Sequence, residues 1–218
     1  MSEPLISLLH PTIRPYAWKA AAQDWHRNCD HPENVEYVLV TEKERFPSLA
    51  DLGIPFEHQV AEHNKKEATL VQAFNYASEI CHGKVLVTIA DDFFSAPHWD
   101  TSLLNLLNGK LDNEAVVWAN TDMISLDSHT IVFPILTRAY FERSGRYIFW
   151  PEYTAYYSDL EFHDVAKLNG VEIIDARNTL RFRHVRGGDE DYKKNAATGP
   201  ASGALYHKRK AEGFPGRG

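Results

Sequence analysis

At 218 residues, 44% hydrophobic and 24% charged, the chain has the make-up of a folded globular protein and the length for one large domain, which excludes wholesale disorder. Its formal net charge of −7 disfavours tight, sequence-independent binding to nucleic acid, and its apolar runs fall short of the ~20 residues that span a bilayer. The opening segment, MSEPLISLLHP, carries an acid where a secretory leader carries basic residues, and Cys29 and Cys81 show no CxxC spacing, so neither a disulfide scaffold nor a zinc site is indicated. The expectation is a soluble cytoplasmic protein, of bacterial or phage origin.

In chain order, residues 5–9 form a short apolar run closed by His10 and Pro11, which predicts a strand followed by a loop. Pro15 suits the first turn of a helix over 16–27. Residues 35–40 (VEYVLV) and 56–61 predict two further strands. Leu70, Val71, Phe74 and Ala77 follow the three-and-four spacing of an amphipathic helix over 67–80, closed by Gly83. Residues 85–89 (VLVTI) read as a strand with both faces covered. The second half predicts helices at 99–107, 138–144 and 159–169, the last stopped at Gly170. It predicts strands at 115–119, 131–136, 171–174 and 179–182, then a loop or lid with a short terminal helix from Gly187 onward.

Strands alternating with helices imply a mostly parallel sheet, and ligands of such sheets bind beyond the carboxyl ends of the strands. Those ends carry His10-Pro11-Thr12, Thr41-Glu42 and Asp91-Asp92, so three of them converge on one crevice. Two adjacent carboxylates after a buried strand are costly without a cation or donors, and hard oxygen ligands suit Mg²⁺ or Mn²⁺ bridging to a nucleotide diphosphate. The plainer alternative is that Asp91 and Asp92 cap the helix after Pro97 or solvate a loop. A basic stretch near the C-terminus, with Arg181, Arg183, Arg186, Lys193, Lys194, Lys208, Arg209, Lys210 and Arg217, reads first as a solvated surface.

From about residue 5 to 107 the chain resembles the nucleotide-binding half of GT-A-fold glycosyltransferases, especially the inverting family 2-like group. The residues carrying the resemblance are the run from Asn64 to Ala68 and on through Phe74-Asn75-Tyr76-Ala77, then Gly83, the Asp91-Asp92 pair, and Pro97-His98-Trp99-Asp100. In the second half they are Phe133 to Arg138, Tyr157-Ser158-Asp159-Leu160-Glu161-Phe162, Gly170 and His184. The resemblance implies an α/β fold with a GT-A-like (Rossmann-like), mostly parallel central sheet flanked by helices. It implies a single domain of two fused subdomains: a nucleotide-sugar-binding half (about 1–110), an acceptor half (about 111–190) and a C-terminal loop or lid (about 187–218).

It also implies roles. Asp92 holds the Mn²⁺ or Mg²⁺, and His184 completes the metal shell or touches the diphosphate. Asp91 contacts ribose or a metal-bound water, because the chain has Ala90-Asp91-Asp92 in place of an unambiguous Asp-x-Asp. Pro11, Thr12 and Arg14 form the first nucleotide loop, Glu42 meets base or ribose, Lys66 contacts the diphosphate or base, and Arg186 contacts phosphate. Thr41-Glu42 replaces the family's aspartate, which leaves the base open. Asp159 takes the place of the carboxylate that deprotonates the acceptor hydroxyl, with Glu161 as the alternative. Locally, Ser158 as a helix N-cap with Asp159 and Glu161 favouring the helix dipole explains these residues equally well. The aromatic cluster Trp150, Tyr153, Tyr156 and Tyr157 suits either sugar stacking or core packing.

The function expected is transfer of a sugar from a nucleotide-sugar, a UDP-sugar first, to a hydroxyl acceptor with inversion. The acceptor is a glycan, a lipid-linked sugar, a protein or a modified DNA base. The alternatives are a nucleotidyltransferase of similar fold, disfavoured because Thr12-Ile13-Arg14-Pro15 lacks glycine, and a non-catalytic glycosyltransferase-like binding module.

Overall fold

In the computed structural model, which describes residues 3–14, 17–42, 56–63, 68–121, 130–185 and 190–217, the apolar runs of the first half lie side by side as parallel strands. They are β1 (Ile6–Thr12), β2 (Val35–Thr41), β3 (Glu57–Glu62) and β4 (Val85–Thr88), with β1 paired in parallel to both β2 and β4. A two-residue strand β5 (Phe93–Phe94) follows, then β6 (Ala115–Trp118), β7 (Ile135–Thr137), β8 (Glu172–Asp175) and β9 (Arg183–His184). Seven of these make one sheet in the order β3-β2-β1-β4-β7-β6-β8, in which β7 alone runs antiparallel to its neighbours. The other two, β5 and β9, pair antiparallel as a separate ribbon.

Side chains alternate between two cores, one on each face. Ile6, Leu8, Tyr37, Leu39, Val85 and Val87 face a cluster built on Trp18, Trp25, Trp99 and Phe182. Leu9, Val38, Val40 and Leu86 face Phe74, Ala77, Tyr140, Phe162 and Val165 on the other side. Helix α1 (Ala17–Arg27) covers the first face with Trp18, Ala21, Ala22 and Trp25, a single stripe at helical spacing. Helix α2 (Leu70–Ile80) covers the second with Val71, Phe74 and Ala77, and its start is closed by a capping box between Thr69 and Gln72. The remaining helices are α3 (Trp99–Leu106), α4 (Arg138–Arg143), α5 (Ser158–Leu168), α6 (Glu190–Ala197) and α7 (Gly199–Ala211). Among the described residues no helix is long and apolar enough to cross a membrane.

The structure departs from the sequence expectations at four places. His10 and Pro11 continue β1 instead of ending it. Pairing to β4 stops at Leu9, so Pro11 sits where β1 keeps only its β2 partner and a missing N–H costs no ladder bond. Residues 179–182 contribute one isolated bridge, Arg181 to Asn120, and the strand falls two residues later at Arg183–His184. The β-rich run at 131–136 narrows to β7. The C-terminal stretch is two helices, and α7 buries Ser202, Gly203, Tyr206 and Arg209.

Candidate active site

The order of the first four strands fixes where a ligand fits. From β1 the chain winds outward to β2 and β3, then returns to place β4 on the other side of β1, so the connections diverge between β1 and β4. Loops leaving the carboxyl ends of such strands part there and leave a crevice. A cavity of about 690 Å³ opens at that edge, within the usual range for a small-molecule site. Its walls are Pro11, Thr12, Ile13 and Arg14 after β1, Val40, Thr41 and Glu42 at the end of β2, and Ala90, Asp91 and Asp92 after β4. The start of α2 (Thr69, Leu70, Ala73, Phe74) and His63 line one side; Phe133, Thr154, His184, Lys194, Asn195 and Thr198 close the other. The three strand ends therefore do meet in one crevice.

Asp91 and Asp92 are adjacent in sequence but have different partners. Asp91 is nearly buried and accepts from three side chains near the end of β1: His10 Nε2 at 3.1 Å, Thr12 Oγ1 at 3.0 Å and Arg14 Nη1 at 3.2 Å. Asp92 instead faces the β5–β9 ribbon, where His184 Nε2 lies 3.0 Å from its Oδ1 and the Val185 N–H donates to its carbonyl at 2.8 Å. Register in that ribbon sets Phe93 opposite His184, and the imidazole packs edge-on against Phe93 and Phe133. Burial works against the Asp92 charge, but the hydrogen bond and charge of His184 outweigh it and hold the carboxyl below its usual range. Neither aspartate caps α3, whose N-cap is His98.

The donor set at Asp92 and His184 suits a divalent ion. Among the described residues no group of three or more His, Cys, Asp or Glu is gathered for a metal. Asp92 and His184 are the two residues that would hold such an ion, which would supply positive charge to a bound diphosphate.

Asp159 lies outside the cavity lining, in the first turn of α5. Its Oδ1 accepts from the Leu160 N–H at 2.9 Å, and close surroundings push its carboxyl up to about 6. The turn before it is strained: Tyr157, the N-cap, has φ 65°. Ser158 is not the cap; its hydroxyl donates to the Ala155 carbonyl at 2.6 Å. Glu161 takes a position unlike that of an available base. It is fully buried, gripped by Arg209 through two bonds of 2.8 and 2.9 Å, and accepts from the Tyr153 hydroxyl at 3.0 Å. The reason is its register: two residues beyond Asp159 on a helix, its side chain turns inward to α7.

The same contacts settle other sequence readings. Arg209 and Arg217 are buried against the Glu161 side, and Lys210 pairs with Asp164, so these three cations of the C-terminal stretch serve internal contacts. Tyr153, Tyr157 and Trp150 join α5 to the C-terminal segment: Arg209 stacks 3.5 Å over Trp150, and Tyr157 packs on Gly203 and Tyr206. Lys66 and Arg186 lie outside the described residues. From the sequence His10 reads only as a strand-end residue and Lys194 only as part of the basic stretch, and Asn195 and Thr198 carry no signal.

This architecture is that of the GT-A glycosyltransferase fold: a mixed seven-stranded, mostly parallel sheet flanked by helices, with the cavity at its strand-order switch. Among solved structures, S. aureus TarS 1-349 in complex with UDP-GlcNAc superposes with a TM-score of 0.68 at 14% identity, over 85% of this chain and 60% of that one. The mannosyltransferase PcManGT from Pyrobaculum calidifontis, in complex with GDP-Man and Mn²⁺, superposes with a TM-score of 0.60 at 14% identity, over 96% of this chain and 65% of that one. The chain thus spans about 60% of the length of the TarS fragment. It matches no protein-family model and no curated protein.

Proposed function

We propose that this protein transfers a glycosyl group from a nucleotide-sugar, a UDP-sugar first, to a hydroxyl acceptor, with inversion and with a divalent metal at Asp92 and His184. The observation that carries the reading is the meeting of Asp92 with His184 at the mouth of a cavity on the strand-order switch. That edge is where a nucleotide lies in sheets of this kind, and a carboxylate–imidazole pair there suits an ion shared with a diphosphate. The UDP-GlcNAc and GDP-Man bound to the two neighbours support a nucleotide-sugar donor, and the Mn²⁺ of the second supports the metal.

In this reading Pro11, Thr12 and Arg14 form the donor loop, with Arg14 adding positive charge to it. Glu42 accepts from the base or ribose, and Asp91 from the ribose. When bound, the metal neutralises charge on the departing diphosphate. Asp159 acts as the base: the acceptor oxygen bonds to the anomeric carbon as the carbon–phosphate oxygen bond breaks. The acceptor proton goes to the Asp159 carboxylate and the electron pair leaves with the diphosphate. Its raised pKa suits that task, because a base near 6 is both ionised at neutral pH and strong enough to take the proton.

The test is a melting-temperature screen of UDP, GDP and their sugars with and without Mn²⁺, on the wild type and on Asp92→Asn. The expected outcome is metal-dependent stabilisation by one nucleotide family, lost in the variant because one ligand charge is removed. A wild type that no nucleotide stabilises in either Mn²⁺ or Mg²⁺ would overturn the proposal.

A further inference from the structure

We infer that His10 is a positioning residue for nucleotide recognition: it aims Asp91 at ribose hydroxyls, and so makes the site selective for nucleotides that carry those hydroxyls over 2′,3′-dideoxynucleotides. This rests on the reading of the cavity as a nucleotide site. His10 is completely buried, in a strand whose neighbouring positions are apolar, and an apolar side chain would serve the strand equally well. It instead bridges two polar groups. Its Nε2 meets Asp91 Oδ1 at 3.1 Å, and its Nδ1 meets the hydroxyl of buried Tyr37 on β2.

The proton order along this chain is set by chemistry. A carboxylate oxygen accepts, so the tautomer with its proton on Nε2 donates to Asp91 and leaves Nδ1 to accept from Tyr37. Burial first, and then the nearby Asp91 charge, hold the Tyr37 phenol well above its usual range, so its O–H stays available to donate. The result is one directed line: Tyr37 O–H to His10, then His10 N–H to Asp91.

Thr12 and Arg14 donate to the other oxygen of Asp91. A carboxylate has about four acceptor positions, and three are taken by β1 and the residues just after it. Asp91 lines the cavity, so the position left is offered to a ligand that donates. One residue away from the proposed diphosphate site, the donating groups of a nucleotide are the ribose hydroxyls. A 2′,3′-dideoxyribose cannot fill that position and leaves a nearly buried charged acceptor short of a partner.

The experiment is calorimetric binding of UDP and GDP and of their 2′,3′-dideoxy analogues in Mn²⁺. The wild type is compared with His10→Leu, His10→Gln and Tyr37→Phe. The wild type should prefer the ribose form of the nucleotide it binds by about 10- to 100-fold, the range for a hydrogen bond to a charged group. His10→Leu should cut that preference to within about threefold, while His10→Gln, whose amide can donate to Asp91, keeps most of it. Tyr37→Phe removes only the hydroxyl and should weaken the preference by several-fold, roughly as loss of one supporting bond allows. An unchanged preference in His10→Leu overturns the inference, and Tyr37→Phe decides in the same way if His10→Leu does not fold. A wild type that binds the nucleotide without preferring ribose removes Asp91 from ribose recognition, and the inference with it, but leaves the transfer reading standing. A wild type that binds no nucleotide overturns that reading itself.

Discussion

Asp159, the proposed base, illustrates how one residue's surroundings couple stability to the proposed activity. Its carboxyl is pushed up to about 6 from an ordinary 3.8, mainly because burial penalises the charge. Between those two values the folded state holds more protons than the unfolded chain, so stability falls as pH rises through that window. The full difference is on the order of 2–3 kcal/mol, at 1.36 kcal/mol per pKa unit. Asp159→Asn should therefore melt higher than the wild type at pH 7 and equally at pH 3, where both side chains are neutral. The same substitution should lower kcat by about 10²–10⁴-fold, since an amide cannot take the acceptor's proton. In the wild type kcat/KM should rise with pH through an apparent pKa near 6. A pH-independent rate, or an active Asp159→Asn, would remove it as the base. The gain in stability on losing function is the expected signature of a charge kept for chemistry.

At the scale of elements, the contact between α5 and α7 decides what Glu161 does. Its carboxylate and the Arg209 guanidinium are both buried, with fork-to-fork geometry. Glu161→Gln keeps the volume but leaves a buried cation without its counter-charge, which costs about 3–5 kcal/mol. Urea unfolding should show that loss, while kcat below the new melting temperature stays within about threefold of wild type if Asp159 is the base proposed, because Asp159 is untouched. A Glu161→Gln that is fully stable but inactive would restore Glu161 as the base. The β1–β4 contact offers a second test. A Cβ on Gly83 would stand 2.6 Å from the Ser7 nitrogen and 2.7 Å from the Ile6 carbonyl carbon, both backbone atoms with little room to move. Gly83→Ala should destabilise by about 1–3 kcal/mol or more, the usual range for overpacking. From the sequence, Gly83 reads simply as the stop of α2; its second task, close approach to β1, is invisible without the neighbouring strand.

Across the whole molecule, the C-terminal stretch is partly wall and partly clamp. Lys194, Asn195 and Thr198 line the cavity, whereas α7 is tied to α5 through Tyr206–Asp164 and Arg209–Glu161. Trypsin should cut after Lys193 and Lys194 more slowly when UDP and Mn²⁺ are present, and cleavage after Arg209 should be slow in both conditions. Equal rates at Lys194 with and without ligand would place that wall outside the binding site. Much of this architecture is legible along the chain. Apolar runs such as 35–40 and 85–89 declare strands, the second with both faces covered, Leu70 to Ala77 declare a helix stripe, and polar residues at three strand ends declare the crevice. These are local signals, because side-chain direction repeats every two residues in a strand and every 3.6 in a helix. The pairings that give each polar group its role are not local. His184 reaches Asp92 across 92 positions, Asp91 draws donors from a strand 81 positions earlier, and Glu161 finds Arg209 48 positions later. No pattern in one segment records which distant segment will neutralise its charges. That choice belongs to the order of the strands and the packing of α7, which set Asp92 beside an imidazole at the cavity and close Glu161 into the core.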